Sequence, residues 1–258
     1  MRYQPIYDIA ELCARKGLHQ AILCPGSRCA PLTIALRRHQ DITTRTFSDE
    51  RSAAFVALGI AQQIKVPTIL VCTSGSAAYN FAAAVAEAYY QQIPLLIFTA
   101  DRPREWIDQR DGQTIRQQGI YGAHVKKSFM LPEEYDHADS TWFINRTVNE
   151  AINLAIEFPP GPVHINAPFR EPLYPSKDEV IHFTKPVRII DNPAGETRLS
   201  EKEKKLLIRN FTSFDKILLV AGQSDYNESL IKVVDRFVKH QRVALIGEIG
   251  RASCRERV

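Results

Sequence analysis

Five stretches of this chain put residues of useful chemistry next to turns that could aim them. Pro25-Gly26-Ser27-Arg28 follows a short apolar run, so Gly26 permits close backbone approach while Ser27 and Arg28 can bind a carboxylate. On its own, the same string also suits a plain strand–turn–helix junction with an exposed arginine. Phe47-Ser48-Asp49-Glu50-Arg51 opens a helix with two acids. An acid in a first helical turn complements the macrodipole by about 0.3–1 kcal/mol, which accounts for Asp49 or Glu50 taken singly. It does not account for Glu50 leading into an alanine-rich helix with no continuous polar face. A carboxylate forced into so dry a place has its pKa raised and can share a strong hydrogen bond with a ring nitrogen.

Thr73-Ser74-Gly75-Ser76-Ala77 ends another apolar run, and backbone N–H groups at such a helix start can receive an anion or a polar ring. An ordinary capped helix start would look the same. Asp101-Arg102-Pro103 and Gln113-Thr114-Ile115-Arg116-Gln117 add arginines suited to bidentate carboxylate binding, or to structural ion pairs. Ser74 and Ser76 do not sit in the G-x-S-x-G elbow of hydrolases. There is neither a G-x-x-x-x-G-K-[ST] loop nor a G-x-G-x-x-G fingerprint, which weakens kinase, NTPase and dehydrogenase readings.

The elements that must carry these turns alternate as short apolar run, turn and helix, the rhythm of a parallel sheet wrapped by helices. Helices are expected over 6–16, 31–38, 50–64, 76–90 and 146–157, with strands over 21–25, 43–47, 68–73, 95–99, 127–130 and 163–167. The polar stretch 101–122 lacks a period and reads as a long functional loop with a short helix inside. Two helical segments, 53–61 and 77–88, are apolar nearly all round, which predicts burial on most sides, in a subunit interface or a deep core. Residues 176–198, with Pro186, Pro193 and Gly195, read as a linker. Beyond it, Ser200 and Glu203 form a capping box ahead of a helix through Phe211. A strand over 216–221, a turn at Gly222, a helix over 228–240 and a strand over 242–247 then make one β-α-β unit. A single such unit leaves both sheet edges open, so this second domain (199–249) reads as incomplete. The tail 250–258 follows no pattern and reads as foreign to the natural protein.

With 258 residues, 45% hydrophobic and 24% charged, the composition is that of an ordinary globular protein. No apolar run approaches the roughly 20 residues of a membrane span, and Arg2, Asp8 and Glu11 interrupt the N-terminus, so neither a membrane nor a signal peptide is expected. The expected compartment is the cytoplasm. The net charge of +4 is too small and dispersed to argue for nucleic acid. Five cysteines (Cys13, Cys24, Cys29, Cys72, Cys254) form no C-x-x-C pair, which suggests reduced, mostly buried thiols. The seven histidines show no ligand spacing, and no residue is assigned to a metal.

Taken in order, these segments resemble the pyrimidine-binding domain of thiamine-diphosphate enzymes. The likeness is carried by Pro25-Gly26-Ser27-Arg28, Phe47 to Arg51 with Ala57-Leu58-Gly59, Thr73-Ser74-Gly75, Ala100-Asp101-Arg102-Pro103, Gln113-x-Ile115-Arg116-Gln117 and Phe169-Arg170-Glu171-Pro172-Leu173. Ser-Arg after Pro-Gly, together with Ala-Asp-Arg-Pro, makes it most similar to the 2-succinyl-5-enolpyruvyl-6-hydroxy-3-cyclohexene-1-carboxylate synthases of menaquinone biosynthesis. The resemblance spans roughly 5–175 and implies an α/β fold, a parallel sheet with helices on both faces, over 1–175, followed by part of a Rossmann-like domain. It implies that Glu50 is catalytic, hydrogen-bonding N1′ of the aminopyrimidine, and that Pro25, Gly26, Thr73, Ser74 and Gly75 line the cofactor. Ser27, Arg28, Arg102 and Gln113 match positions that resemble the family's isochorismate-binding set. The family decarboxylates 2-oxoglutarate and adds the succinyl group to isochorismate, with thiamine diphosphate and Mg2+, in assemblies whose sites form between subunits, so a homodimer or homotetramer is implied.

One departure is equally informative. The superfamily binds magnesium and diphosphate through a motif opening with Gly-Asp and closing with Asn, and this sequence contains no Gly-Asp pair. The expectation is a chain that stops short of that domain, binds cofactor poorly and is inactive alone. Two other readings remain: a different thiamine-diphosphate carboligase or decarboxylase, against which Arg28 and Arg102 argue, and a non-catalytic α/β binding or assembly module.

Overall fold

Continuous apolar runs such as Thr68-Ile-Leu-Val-Cys72 are buried at every position, which is how a strand covered on both faces must read. In the computed structural model, which describes residues 3–176, 179–185, 187–192, 198–222, 227–240 and 243–247, these runs form the middle of a parallel sheet. The chain divides into two units, Met1–Pro193 and Ala194–Val258.

In the first unit, α1 (Gln4–Arg15), β1 (Gln20–Leu23), α2 (Ala30–Arg38), β2 (Thr43–Thr46), α3 (Glu50–Ile64), β3 (Thr68–Cys72), α4 (Ser76–Asn80), α5 (Ala82–Tyr90), β4 (Leu95–Asp101), β5 (Ser128–Met130), α6 (Ala138–Ile156) and β6 (Val163–Pro168) follow one another. Six strands lie in the order β2-β1-β3-β4-β6-β5, all paired parallel. The polar sequence Thr-Thr-Arg-Thr of β2 suits its place at an open edge. One core packs α1, α2 and α6 on one face of the sheet; the other packs α3, α4 and α5 on the opposite face. From β1 the chain steps outward to β2 and then crosses back to β3. The order therefore reverses between β1 and β3, and open α/β sheets bind ligands at the carboxyl ends of strands beside such a reversal.

Several expected elements differ in extent. The helix over 76–90 is divided at Phe81: its N–H bonds Ala78 O, three residues back, at 3.3 Å, so the ladder tightens for one residue before α5 resumes with Val85 N to Phe81 O at 3.0 Å. Helix α6 begins at Ala138, well before the expected Arg146. His137 caps it by accepting from Asp139 N, while Trp142 and Phe143 in the added turns face outward and hide the helical period. Asp101 completes β4 rather than opening the loop, whose first short turn is a 3-10 helix at Arg104–Trp106. Burial on nearly all sides of the alanine-rich helices is not met within one chain. Ala53, Ala57, Ala61, Ala84 and Ala88 are buried, but Phe55 is 44%, Tyr79 58% and Tyr90 67% exposed.

Residues 179–185 and 187–192 carry no regular structure yet are tied to the rest of the first unit. Thr184 N donates to Asp8 Oδ1 at 2.8 Å, Ile190 N to Asn149 Oδ1 at 2.8 Å, and Asn153 Nδ2 to Ile190 O at 2.9 Å. The second unit contains α7 (Glu201–Thr212), β7 (Ile217–Ala221), α8 (Glu228–His240) and β8 (Val243–Gly247), with β7 and β8 parallel. The Ser200–Glu203 capping box is formed in both directions. No residue of α7 is buried, and Val220 in β7 is 70% exposed. The tail 250–258, Pro186, Pro193, Gly195 and Cys254 lie outside the described residues. Cys13, Cys24, Cys29 and Cys72 are free and buried.

Candidate functional site at the carboxyl edge of the sheet

The turns after β1 and β3 touch at the reversal point. A Cβ at Gly26 would stand 2.5 Å from Thr73 Cβ, so only glycine lets the two strand ends come this close. Gly75 has φ +87°, and a Cβ there would meet the Gln113 backbone at 3.0 Å. The loop after β4 thus folds over the turn after β3, with Gln113 itself exposed at φ +56°. Ser74 and Gly75 are buried, Thr73 is half-buried, and Pro25 and Ser27 are exposed.

Asp49 and Glu50 separate in role. Asp49 is the N-cap of α3, accepting from Arg51 N at 3.0 Å and from Ser52 Oγ at 2.7 Å. Its carboxyl is held below the usual range, first by the Ser52 hydrogen bond. Glu50 is half-buried, and its carboxylate makes no hydrogen bond or ion pair among the described residues. Its charge is felt by two thiols under the crevice. Burial, then Glu50, Cys29 and Asp49, push Cys24 up to about 12, and burial raises Cys72 with Cys29, Cys24 and Glu50 adding to it. An unpaired carboxylate therefore stands over a dry floor at the ends of β1 and β3.

The two arginines also converge. Arg28 is 7% exposed; its Nη1 donates to Phe169 O at 2.8 Å and its Nη2 lies 3.5 Å from Glu171 Oε1. Burial lowers its pKa, and the neighbouring Arg102 guanidinium lowers it further. Arg102 Nη2 donates to Gly112 O at 3.1 Å. Its Nε lies 3.4 Å from Asp111 Oδ2 but is buried without a hydrogen bond. Arg116 turns away to pair with Asp108 at 2.8 Å on the exposed side.

Gln117 is fully buried, and its Oε1 accepts from Gly75 N at 2.8 Å while its Nε2 donates to Ala100 O at 2.9 Å. Asn166 is fully buried beside it. Neither had been given a role; His164 and Asn166, polar on one face of an otherwise apolar strand, were the available signal.

Residues 7–127, which include every site residue from Pro25 to Gln117, match the family model described as the thiamine pyrophosphate enzyme, N-terminal TPP binding domain. A 2-succinyl-5-enolpyruvyl-6-hydroxy-3-cyclohexene-1-carboxylate synthase of Cytophaga hutchinsonii is 51% identical over 227 residues, covering 88% of this chain and 40% of that protein. The chain belongs to this family of thiamine-diphosphate enzymes. The family's synthase from Flavobacterium johnsoniae is 40% identical over 93% of this chain and 42% of its own length, and that of Porphyromonas gingivalis 39% identical over 93% and 41%. The chain thus spans about two-fifths of the length of these relatives. A thiamine-diphosphate-dependent 4-hydroxybenzoylformate decarboxylase of Rhodococcus jostii RHA1 shares the fold, with TM-score 0.64 at 20% identity, over 85% of this chain and 39% of that one. Among the described residues no helix is long and apolar enough to cross a membrane.

Proposed function

We propose that this chain supplies the pyrimidine-binding part of a carboligase that decarboxylates 2-oxoglutarate and adds the succinyl group to isochorismate in menaquinone biosynthesis, with thiamine diphosphate and Mg2+. The observation that carries this reading is the unpaired Glu50 carboxylate standing over the crevice between β1 and β3. Thiamine diphosphate, when bound, supplies the carbanion-stabilising chemistry for decarboxylation and carbon–carbon bond formation.

The residues present fit its pyrimidine end. Glu50 offers a carboxylate to a ring nitrogen, and Cys24 and Cys72 keep the floor apolar beneath it. Pro25, Gly26, Thr73, Ser74 and Gly75 form a cradle too tight for a Cβ at residue 26. The Gly-Asp opening of the superfamily's magnesium and diphosphate motif does not occur in this sequence, so the residues named here are assigned to the pyrimidine end of the cofactor alone. This chain alone is then expected to be inactive.

Arg28 and Arg102 present under-neutralised guanidiniums for the isochorismate carboxylates, with Ser27 and Gln113 as flanking polar contacts. Losing either arginine from a desolvated carboxylate pair should weaken binding by about 2–5 kcal/mol. The exposed Phe55, Tyr79, Tyr89 and Tyr90 suit a homodimer or homotetramer packed through α3, α4 and α5, in the cytoplasm. The test is Glu50→Gln in the whole protein. Loss of succinyl transfer with unchanged folding supports the reading; unchanged turnover overturns it in favour of a non-catalytic module.

A further inference from the structure

Between the Gly75 turn and the Arg102 loop runs a chain of fully oriented hydrogen bonds that the cofactor and substrate contacts do not explain. Gly75 N donates to Gln117 Oε1 at 2.8 Å, and Gln117 Nε2 donates to Asn166 Oδ1 at 3.1 Å. Asn166 Nδ2 donates to Asp101 Oδ2 at 2.7 Å, while Asp101 Oδ1 accepts from Arg102 N at 2.8 Å. Thr99 Oγ1 donates to Asn166 Oδ1 at 2.7 Å. Its single proton is thereby used, so at 2.8 Å it must accept from His164 Nε2, which leaves His164 Nδ1 to accept from Ser128 Oγ at 2.9 Å. Gln117, Asn166, Thr99 and His164 are 0% exposed and Asp101 1%, so water cannot substitute for a lost partner.

The direction of every bond is fixed from its acceptor end. Both Asp101 oxygens face N–H donors, an arrangement that suits a carboxylate and leaves no acceptor for a carboxyl proton. A protonated Asp101 donates only if Asn166 turns its amide oxygen toward it. The Asn166 amide nitrogen then faces Gln117 Nε2. Gln117 cannot relieve that clash by turning over, because its Nε2 also donates to Ala100 O and its Oε1 accepts from Gly75 N, so its side chain must shift away from Asn166. One proton at Asp101 is therefore transmitted, through one amide reversal at Asn166 and a displacement of Gln117, to the backbone of residue 75.

We propose that Asp101, Asn166 and Gln117 are positioning residues that lock the Gly75 turn to the Arg102 backbone, and that a proton on Asp101 breaks this lock at Gly75. The functional meaning rests on the reading of Gly75 as cofactor-lining and Arg102 as substrate-binding; the coupling itself does not. The groups facing Asp101 are few. Arg28 favours its charge, Glu133 opposes it, and the Arg102 N–H bonds it. His164 beyond Asn166 is pushed down to about 3 by burial, so it stays neutral throughout. Burial dominates and raises Asp101 to about 6, within reach of a mild titration.

The test follows the Gly75 amide in the whole 258-residue chain. Ser74-Gly75 is the one Ser-Gly pair in the sequence, so carbonyl-13C serine with 15N glycine selects that amide. Its proton shift should titrate with a midpoint near that of the Asp101 side-chain carboxyl, and the inflection should vanish in Asp101→Asn. If that variant does not fold, Gln117→Met serves: Gly75 should become insensitive to pH while the Asp101 carboxyl still titrates. A flat Gly75 shift in the native chain, or an inflection that survives both substitutions, overturns the proposal. These outcomes need no cofactor, so they stand apart from the fate of Glu50→Gln. If both readings hold, Asn166→Ala in the whole synthase should raise the KM for isochorismate and shift the acid limb of its pH profile, and Asn166→Gln should not rescue it.

Discussion

Gly26→Ala probes the contact on which the crevice depends. The added Cβ would lie 2.5 Å from Thr73 Cβ, 2.6 Å from its Oγ1 and 2.8 Å from its Cγ2. The nearest atom is a Cβ, so no rotamer of Thr73 moves it away. Nor can the backbone part freely, because Cys24 N bonds Val71 O at 2.8 Å immediately below. The strain must open the ends of β1 and β3 or distort the turn, at an overpacking cost of about 1–3 kcal/mol. For a unit of this size each kcal/mol lowers the melting temperature by about 2–4 °C, so a fall of roughly 2–12 °C is expected. Urea unfolding followed by circular dichroism reads the cost, and a double-mutant cycle identifies its source. Thr73→Gly removes the offending atom and should couple to Gly26→Ala by about 1–2 kcal/mol; Thr73→Ser keeps it and should couple far less. An unchanged midpoint for Gly26→Ala, or equal coupling to both partners, refutes the close approach as the reason for glycine.

Two further outcomes follow from buried polar groups. Asn149 accepts from Ile190 N at 2.8 Å and donates to Arg188 O at 3.0 Å, so Asn149→Ala should destabilise the docked segment by about 1–3 kcal/mol. Hydrogen exchange at the Ile190 amide should then accelerate while amides of β3 keep their protection; no change at Ile190 contradicts this. Asp101, raised by burial from 3.8 to about 6, binds its proton more tightly folded than unfolded, worth about 3 kcal/mol. That stabilisation is fully present below the unfolded value and is lost as pH rises toward 6. Denaturant midpoints of the native chain should therefore fall relative to those of Asp101→Asn across this window, and parallel curves would disprove the linkage.

Much of the frame was legible because burial leaves a one-dimensional trace. β3 and β4 are unbroken apolar runs, and α3 begins at Glu50 as read because Asp49 is a strong cap. The start of α6 was not legible, since outward-facing Trp142 and Phe143 mask its period. Nor was the break at Phe81, a fully buried residue of a type that fits a helix interior. In the site, strand-end arginines and glycines announced themselves, but partnerships across strands did not. Gln117 is one polar letter in a polar loop, and its role depends on Gly75, Ala100 and Asn166 arriving from three different strands or turns.

The paired arginines bear on the proposed preference of the crevice for a carboxylate. Arg28 is held by a backbone carbonyl and by Glu171, which is 75% exposed at its side chain and so well screened. Arg102 is held by Gly112 O, and Asp111 lies near it but off the hydrogen-bonding line of a buried Nε. Burial, and then the neighbouring Arg102 guanidinium, lower the proton affinity of Arg28, which is a destabilised arrangement that the proposed bound anion would relieve. Asp101 is close enough to favour Arg28 electrostatically, yet its own oxygens are committed to Asn166 and to the Arg102 N–H. The carboxylate beside the positive pair is thus spent on holding the loop in place rather than on neutralising the guanidiniums.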